Sequence, residues 1–267
     1  MNEWFGHVRA WLARNTNTID RLSKVFTAVG LVIGVFSYLL GSGDREKQKH
    51  YQAWQVISLA SLTQKGDQGR RDSVRDLAND DVQMQGVNLQ EADLHGIELN
   101  GAYLFNASFD NAHLTNTQFN CARAHFFVLG NRIPFFGKRL CANLVAAHFS
   151  GLPLSGTQFA GASLRAAIFS HTTLVDVNFS NADLSDAKFD HVQINGNFQN
   201  AIIRNAIFEQ AVIQESDFTN AIISDVDFSH AIVEKSLFSV AVLCRVTFSD
   251  GTSVANGCLP SEQSKQR

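Results

Sequence analysis

Cut every five residues, Ala201–Asn220 reads AIIRN AIFEQ AVIQE SDFTN. The third place of each block is large and apolar: Ile203, Phe208, Ile213, Phe218. The first is small: Ala201, Ala206, Ala211, Ser216. Neither regular element accommodates this period. An α-helix turning about 100° per residue carries a side chain ~140° round its axis every five positions. A straight strand alternates faces, so an odd period sends successive large residues to opposite sides. The pattern is consistent with a backbone that turns a corner once per block and presents the same place inward each time. A short internal period of this kind predicts a solenoid.

The same register runs through most of the chain. Large apolar centres recur from Met84, Leu89 and Leu94 to Leu114 and Phe119, and again from Leu144 and Phe149 to Phe189 and Ile194. One four-residue step leads to Phe198, and the period of five then continues to Phe248. A small residue stands two places before most centres, as at Ala92, Ala102, Ala107, Ala112, Ala162, Ala182, Ala221 and Ala241. Blocks such as ADLHG, ASFDN and ADLSD follow the pattern A-[DNS]-[LF]-x-x and resemble the pentapeptide-repeat family. The resemblance implies an all-β solenoid, a right-handed quadrilateral β-helix of four blocks per coil with the centre and the small residue inside. The alternation of aliphatic and Phe centres supports four blocks per coil independently, because positions twenty apart then stack. Phe149, Phe169, Phe189, Phe208, Phe228 and Phe248 form one column, and Phe159, Phe179, Phe198, Phe218 and Phe238 the opposite one. Such an interior holds rings but offers no partner to a hydroxyl or indole N–H, which accounts for 21 Phe against 3 Tyr and 3 Trp.

The ends read differently. Residues 1–24 form an N-terminal segment in which Trp4, Val8, Trp11 and Leu12 fall at helical spacing, as an interfacial helix would have them. Residues 25–43 carry no charge and are long enough to span a bilayer as a helix. Basic residues flank this run on both sides, so its orientation stays open. Residues 44–79 read as a helical linker and N-terminal cap, with Tyr51, Trp54, Ile57 and Leu62 on one broad face. The first coil of a solenoid exposes strand edges that something must cover. Residues 80–250 are the repeat domain, and 251–267 a C-terminal cap and tail.

The register is interrupted at 125–143. Keeping it there would put Arg139 inside a dry core, at a cost of several kcal/mol. The segment is therefore read as a loop insertion, either projecting from the rod or packed on it. It supplies Phe126, Phe127, Arg132, Ile133, Phe135, Phe136 and Arg139, the aromatic and Arg composition of a contact surface. Outside the coils, the residue before each centre turns apolar late in the domain. Ile202, Ile222 and Val242 mark one side, and Val212 and Ile232 the opposite one. Stacked apolar residues on an outer face suit a partner or self-association.

Chemistry is thinly represented. No nucleotide loop, G-x-S-x-G or H-E-x-x-H motif is present. His171 and His191, twenty apart, stack on one outer column with Asp190 as a possible third ligand. Two ligands alone make a weak site, and no metal or cofactor is expected. Cys121 and Cys141 flank the insertion at equal phase and suit either a staple or, preferentially, small half-buried places. Cys244 and Cys258 show no metal spacing. Residues 1–79 hold eleven Lys and Arg against seven Asp and Glu, whereas residues 80–250 hold nine against seventeen.

The expectation is a non-catalytic, membrane-tethered protein-interaction scaffold. It would be single-pass through 25–43 in a bacterial inner membrane, with an unidentified membrane-associated protein partner. No small-molecule substrate is expected, nor nucleic acid as partner. The resemblance also implies an alternative, because the family includes quinolone-resistance proteins whose acidic rods mimic DNA and bind gyrase, a type II topoisomerase. Here the outer acids Asp110, Asp183, Asp190, Glu209 and Asp227 are interrupted by Lys188, Arg204 and apolar residues.

Overall fold

The computed structural model describes residues 44–60, 69–128, 131–255 and 257–258, with backbone alone for 123–128 and 131–139. The expected interfacial segment and the span at 25–43 lie outside the described residues. Among the described residues no helix is long and apolar enough to cross a membrane. By contact the chain divides into Met1–His50 with Phe127–Asn131 and, separately, Tyr51–Phe126 with Arg132–Arg267. The second unit contains the repeats and is the one described below.

One residue in five turns the chain. Two places after most centres the backbone enters the left-handed region, as at Glu91, Asn106, Asn111, Asn116, Asn181, Asn200 and Asn220. That conformation costs an L-residue about 1–2 kcal/mol unless it is Gly, Asn or Asp, which explains why Asn and Gly recur there. Most corners are closed by a four-residue turn, such as Ala92 N–H donating to Leu89 C=O at 3.2 Å. A positive φ at the third residue is the type II arrangement. After the corner a short extended stretch pairs in parallel with the coil twenty residues on, as Asn88 with Ser108, Asp93 with His113 and Glu98 with Gln118. The ladder is regular: Leu89 N–H donates to Ser108 C=O at 2.7 Å, and Ser108 N–H to Val87 C=O at 3.0 Å. The chain is a β-solenoid with the four-block coil expected from the register.

Every centre from Met84 to Phe228 is buried, and so are the small residues Ala92, Ala102, Ala107, Ala112, Ala162, Ala182 and Ala221. The rings stack face to face along the axis, with centroids 4.9 Å apart for Phe149–Phe169 and 5.1 Å for Phe159–Phe179. Rings of the two columns meet edge to face, Phe169 and Phe179 at 5.5 Å. The edge-to-face meeting is the geometry that ring quadrupoles favour. The columns also extend further than the sequence reading has them. Phe109 stacks on Phe149 at 5.0 Å and Phe119 on Phe159 at 5.2 Å, forty residues apart.

That doubled step locates the insertion. Tyr103 pairs with Asn143, Ser108 with His148 and Gln118 with Gln158, so one coil's length of chain leaves the stack. The extruded chain is not the expected loop of 125–143. It forms β1 (Cys121–Val128) and β2 (Asn131–Cys141), hydrogen-bonded to each other as a two-stranded sheet. A Phe- and Ile-rich run on either side of a Gly-containing connection is strand-forming sequence. The sequence reading treated it as loop because the five-residue register failed there.

After Ile194 the register loses a single residue, and the structure absorbs the step in β3 (Thr173–Asn178) and β4 (Gln193–Asn197). Val175 pairs with Asn195 but Val177 with Gly196, leaving the corner residue Asp176 without a counterpart. Beyond this point the faces lengthen into β5 (Ile202–Arg204), β6 (Val212–Gln214), β7 (Ile222–Asp227), β8 (Ile232–Glu234) and β9 (Val242–Thr247). Two sheets result, one in the order β3-β4-β6-β8, the other β10-β9-β7-β5, where β10 (Ser253–Val254) pairs antiparallel with β9.

Residues 44–60 form helix α1, and helix α2 spans Arg70–Asn79. Ala53, Ile57, Val74 and Leu77 join the apolar core beside Met84. The face expected to carry Tyr51 is shifted: Tyr51 is exposed, Trp54 packs against the core, and Ala53, Ile57 and Ala60 are buried. Arg70, itself buried, donates through Nη1 to the Gln90 carbonyl at 2.9 Å, giving that oxygen of the rod a partner from the cap.

Candidate interaction surfaces

The two-stranded ribbon leaves the rod through a neck cut to fit. Cys121 and Cys141 are joined as a disulfide, which corrects the preferred reading of them as small half-buried residues. The sequence signal was their equal phase twenty residues apart. What the sequence could not show is that the intervening coil is expelled, which brings both ends of the excursion to one point. Glycines on the flanking coils make the room. A Cβ at Gly161 would stand 2.5 Å from Cys121 Sγ, and one at Gly101 would stand 3.0 Å from the Leu140 carbonyl oxygen. Phe126, Phe127, Arg132, Ile133, Phe135, Phe136 and Arg139 all lie on β1 or β2, and their side chains lie outside the described residues.

The outer apolar residues do form columns. Ile202 pairs with Ile222 and Ile222 with Val242 across β5, β7 and β9. Val212 pairs with Ile232 across β6 and β8. The first column is partly covered at its end, because Gly257 N–H donates to Leu243 C=O at 2.9 Å and the chain there runs against Val242. A second disulfide, Cys244–Cys258, ties this returning segment down. The other side is barer. In the final coil Ile232 on that side is 53% exposed, Leu237 on the next face, where it pairs with Asp217, 59%, and Val240 at the following corner 75%. Sequence reasoning passed over Leu237, although it occupies the same place before its centre as Ile232. Along the same sheet Thr173, Val175, Gln193, Val212, Gln214 and Glu215 line a shallow groove of about 370 Å³.

The polar residues before the centres have a structural task. Asp217 Oδ1 accepts the Thr219 N–H at 2.9 Å, Asp227 Oδ1 that of Ser229 at 2.8 Å, and Asn197 Oδ1 that of Gln199 at 2.9 Å. These bonds favour the ionised acid. The Thr219 hydroxyl, with the Thr219 amide and Gln199, holds the Asp217 carboxyl below the ordinary value of 3.8, and the Ser229 amide and hydroxyl do the same for Asp227.

On this geometry the unit that holds the repeats is a solenoid with a solid core. Residues 82–126, 142–180, 169–196 and 197–229 match the family described as pentapeptide repeats, in eight copies. The rod belongs to the pentapeptide-repeat family. Among solved structures it is similar to HetL, a pentapeptide repeat protein involved in heterocyst differentiation regulation from the cyanobacterium Nostoc. The identity is 18%, covering 68% of this chain and 97% of that one, with a TM-score of 0.26. A pentapeptide repeat protein from the Arabidopsis thaliana thylakoid lumen is 22% identical over 43% of this chain and 74% of its own, with a TM-score of 0.30. QnrB1, a plasmid-mediated fluoroquinolone resistance protein, is 12% identical over 57% and 77%, with a TM-score of 0.26. None of the curated proteins matches the chain.

Proposed function

We propose that the chain is a non-catalytic scaffold, tethered to a bacterial inner membrane through residues 25–43, whose rod presents the ribbon β1–β2 to a membrane-associated protein. The observation that carries this reading is the ribbon itself. One coil's length of chain is ejected from an otherwise continuous stack and fastened at its root, and its sequence is rich in Phe and Arg. Aromatic and Arg side chains are enriched among the residues that anchor interfaces. The solid core argues against an enclosed substrate site, since every centre that could line one is filled by Phe, Leu or Ile.

The two disulfides support an oxidising location for the rod, because paired cysteines persist outside the reducing cytoplasm. On this reading the repeats face away from the cytoplasm. Trapping the full chain in cells with a thiol-reactive label should then modify its cysteines only after reduction, and four labels without reductant would place the rod on the reducing side.

The interface is tested by proximity labelling from the full chain, with and without replacement of Phe126, Phe127, Phe135 and Phe136 by Ala. Loss of specific neighbours with an unchanged melting temperature is expected. Unchanged neighbours, or loss of the fold, would remove the ribbon as the contact. The rod's acidic balance keeps the gyrase reading as the competitor, and inhibition of gyrase supercoiling by the purified protein would favour it over the scaffold.

A further inference from the structure

Three side chains with metal-binding donor atoms, His171, Asp190 and His191, meet at the corner that precedes β3 and β4. His171 and His191 occupy equivalent corner places in successive coils, both left-handed with φ of 61° and 57°. Their ring centroids are 4.8 Å apart. Asp190 stands beside them, its Oδ2 4.0 Å from His191 Nδ1. Its other oxygen is occupied, since Ser170 Oγ donates to Oδ1 at 2.8 Å. One donor atom from each of the three residues lies within 4.8 Å of the other two.

The backbone beneath is fixed on both coils. His171 N–H donates to Asp190 C=O at 3.0 Å, and His191 N–H to Glu209 C=O at 2.9 Å. Only side-chain rotations are left to adjust. Zn–N bonds of about 2.0–2.1 Å place tetrahedral ligands ~3.4 Å from one another, within reach of such rotations for two exposed rings. Two imidazoles with one carboxylate form the donor set of borderline divalent ions rather than of Mg²⁺ or Ca²⁺. The Ser170 hydrogen bond orients the carboxylate as outer-shell partners of metal ligands do. Glu209, on the next coil, is engaged with His230 at 3.1 Å, which leaves the set at three.

We propose that His171, Asp190 and His191 bind a single Zn²⁺-like divalent transition-metal ion across two coils. Three protein donors leave at least one coordination position facing solvent, open to water or to a side chain of a bound protein. The sequence reading, which weighed the two stacked histidines with Asp190 as a possible third ligand, set the site aside, because spacing alone does not give the distances between the three donor atoms.

The test uses the full chain without a polyhistidine tag, stripped with chelator and titrated with Zn²⁺, alongside the double variant His171→Asn/His191→Asn. Asn fills the same left-handed place at Asn181, Asn200 and Asn220, so the corners should persist, which circular dichroism checks. The wild type should take up one more ion than the variant. Ser170→Ala should weaken that ion's binding on the order of 10-fold. Cu²⁺ bound in its place should show nitrogen hyperfine splitting that the variant loses. Equal stoichiometry and affinity in the folded variant, or binding to the wild type seen only at millimolar Zn²⁺, would overturn the site.

Discussion

Gly196 sits where the register drops a residue, and its side chain of one hydrogen is the condition for that step. A Cβ there would stand 2.6 Å from Val177 Cγ1 and 3.0 Å from the Val177 carbonyl oxygen. Gly196→Ala is expected to destabilise the protein by about 1–3 kcal/mol, the usual cost of overpacking. Val177→Ala in the same chain should return part of that loss by removing the side-chain clash while the carbonyl contact remains. An equal cost in both backgrounds, measured by denaturant unfolding, would dissociate the two residues. At this scale the inward places were legible in sequence, because size alone decides what fits between coils. The corner places were legible only in part. Asn and Gly advertise the left-handed conformation, but His171, Glu215 and Val240 adopt it too, held there by the ladder on either side.

Among the elements, the short strands are secured by side chains as well as by backbone. The Asp217 and Asp227 bonds to the amides two residues on hold both carboxyls below 3.8 in the folded chain. The stabilisation they give is present above the unfolded value and is lost as pH falls through the lowered folded one. Unfolding midpoints should therefore drop on acidification below about pH 4. Asp217→Asn should flatten that dependence while keeping the acceptor, as Asn197 does one coil earlier. A slope unchanged in the variant would assign the acid sensitivity to other carboxylates. The ribbon was the least legible element. Its composition announced a contact surface, but the five-residue register gave no means of seeing that a second, strand-forming pattern had taken over between Cys121 and Cys141.

Across the whole molecule, stability should follow position along the axis, since each coil touches only its neighbours. Phe169 has rings stacked on both sides, whereas Phe248 lies in the last coil, only partly buried, with Phe228 at 5.8 Å behind it. Phe169→Ala should cost about 3–5 kcal/mol, and Phe248→Ala clearly less. Similar losses at both positions would mean that the rod unfolds as one cooperative block, blind to its ends. The five-residue period, the inward residues and the four-sided coil were determined by sequence alone, because each depends on residue size and local turning, repeated until chance alignment is excluded. Tertiary structure decided which coil lies on which. Stacking Tyr103 on Asn143 rather than on residue 123 takes the intervening coil's length of chain out of the stack. Closing off the extra chain adds little loop entropy. The same choice brought Cys121 to Cys141. Stacking with corners in phase brought the donor atoms of His171, Asp190 and His191 within 4.8 Å of one another, a distance that spacing along the chain does not specify.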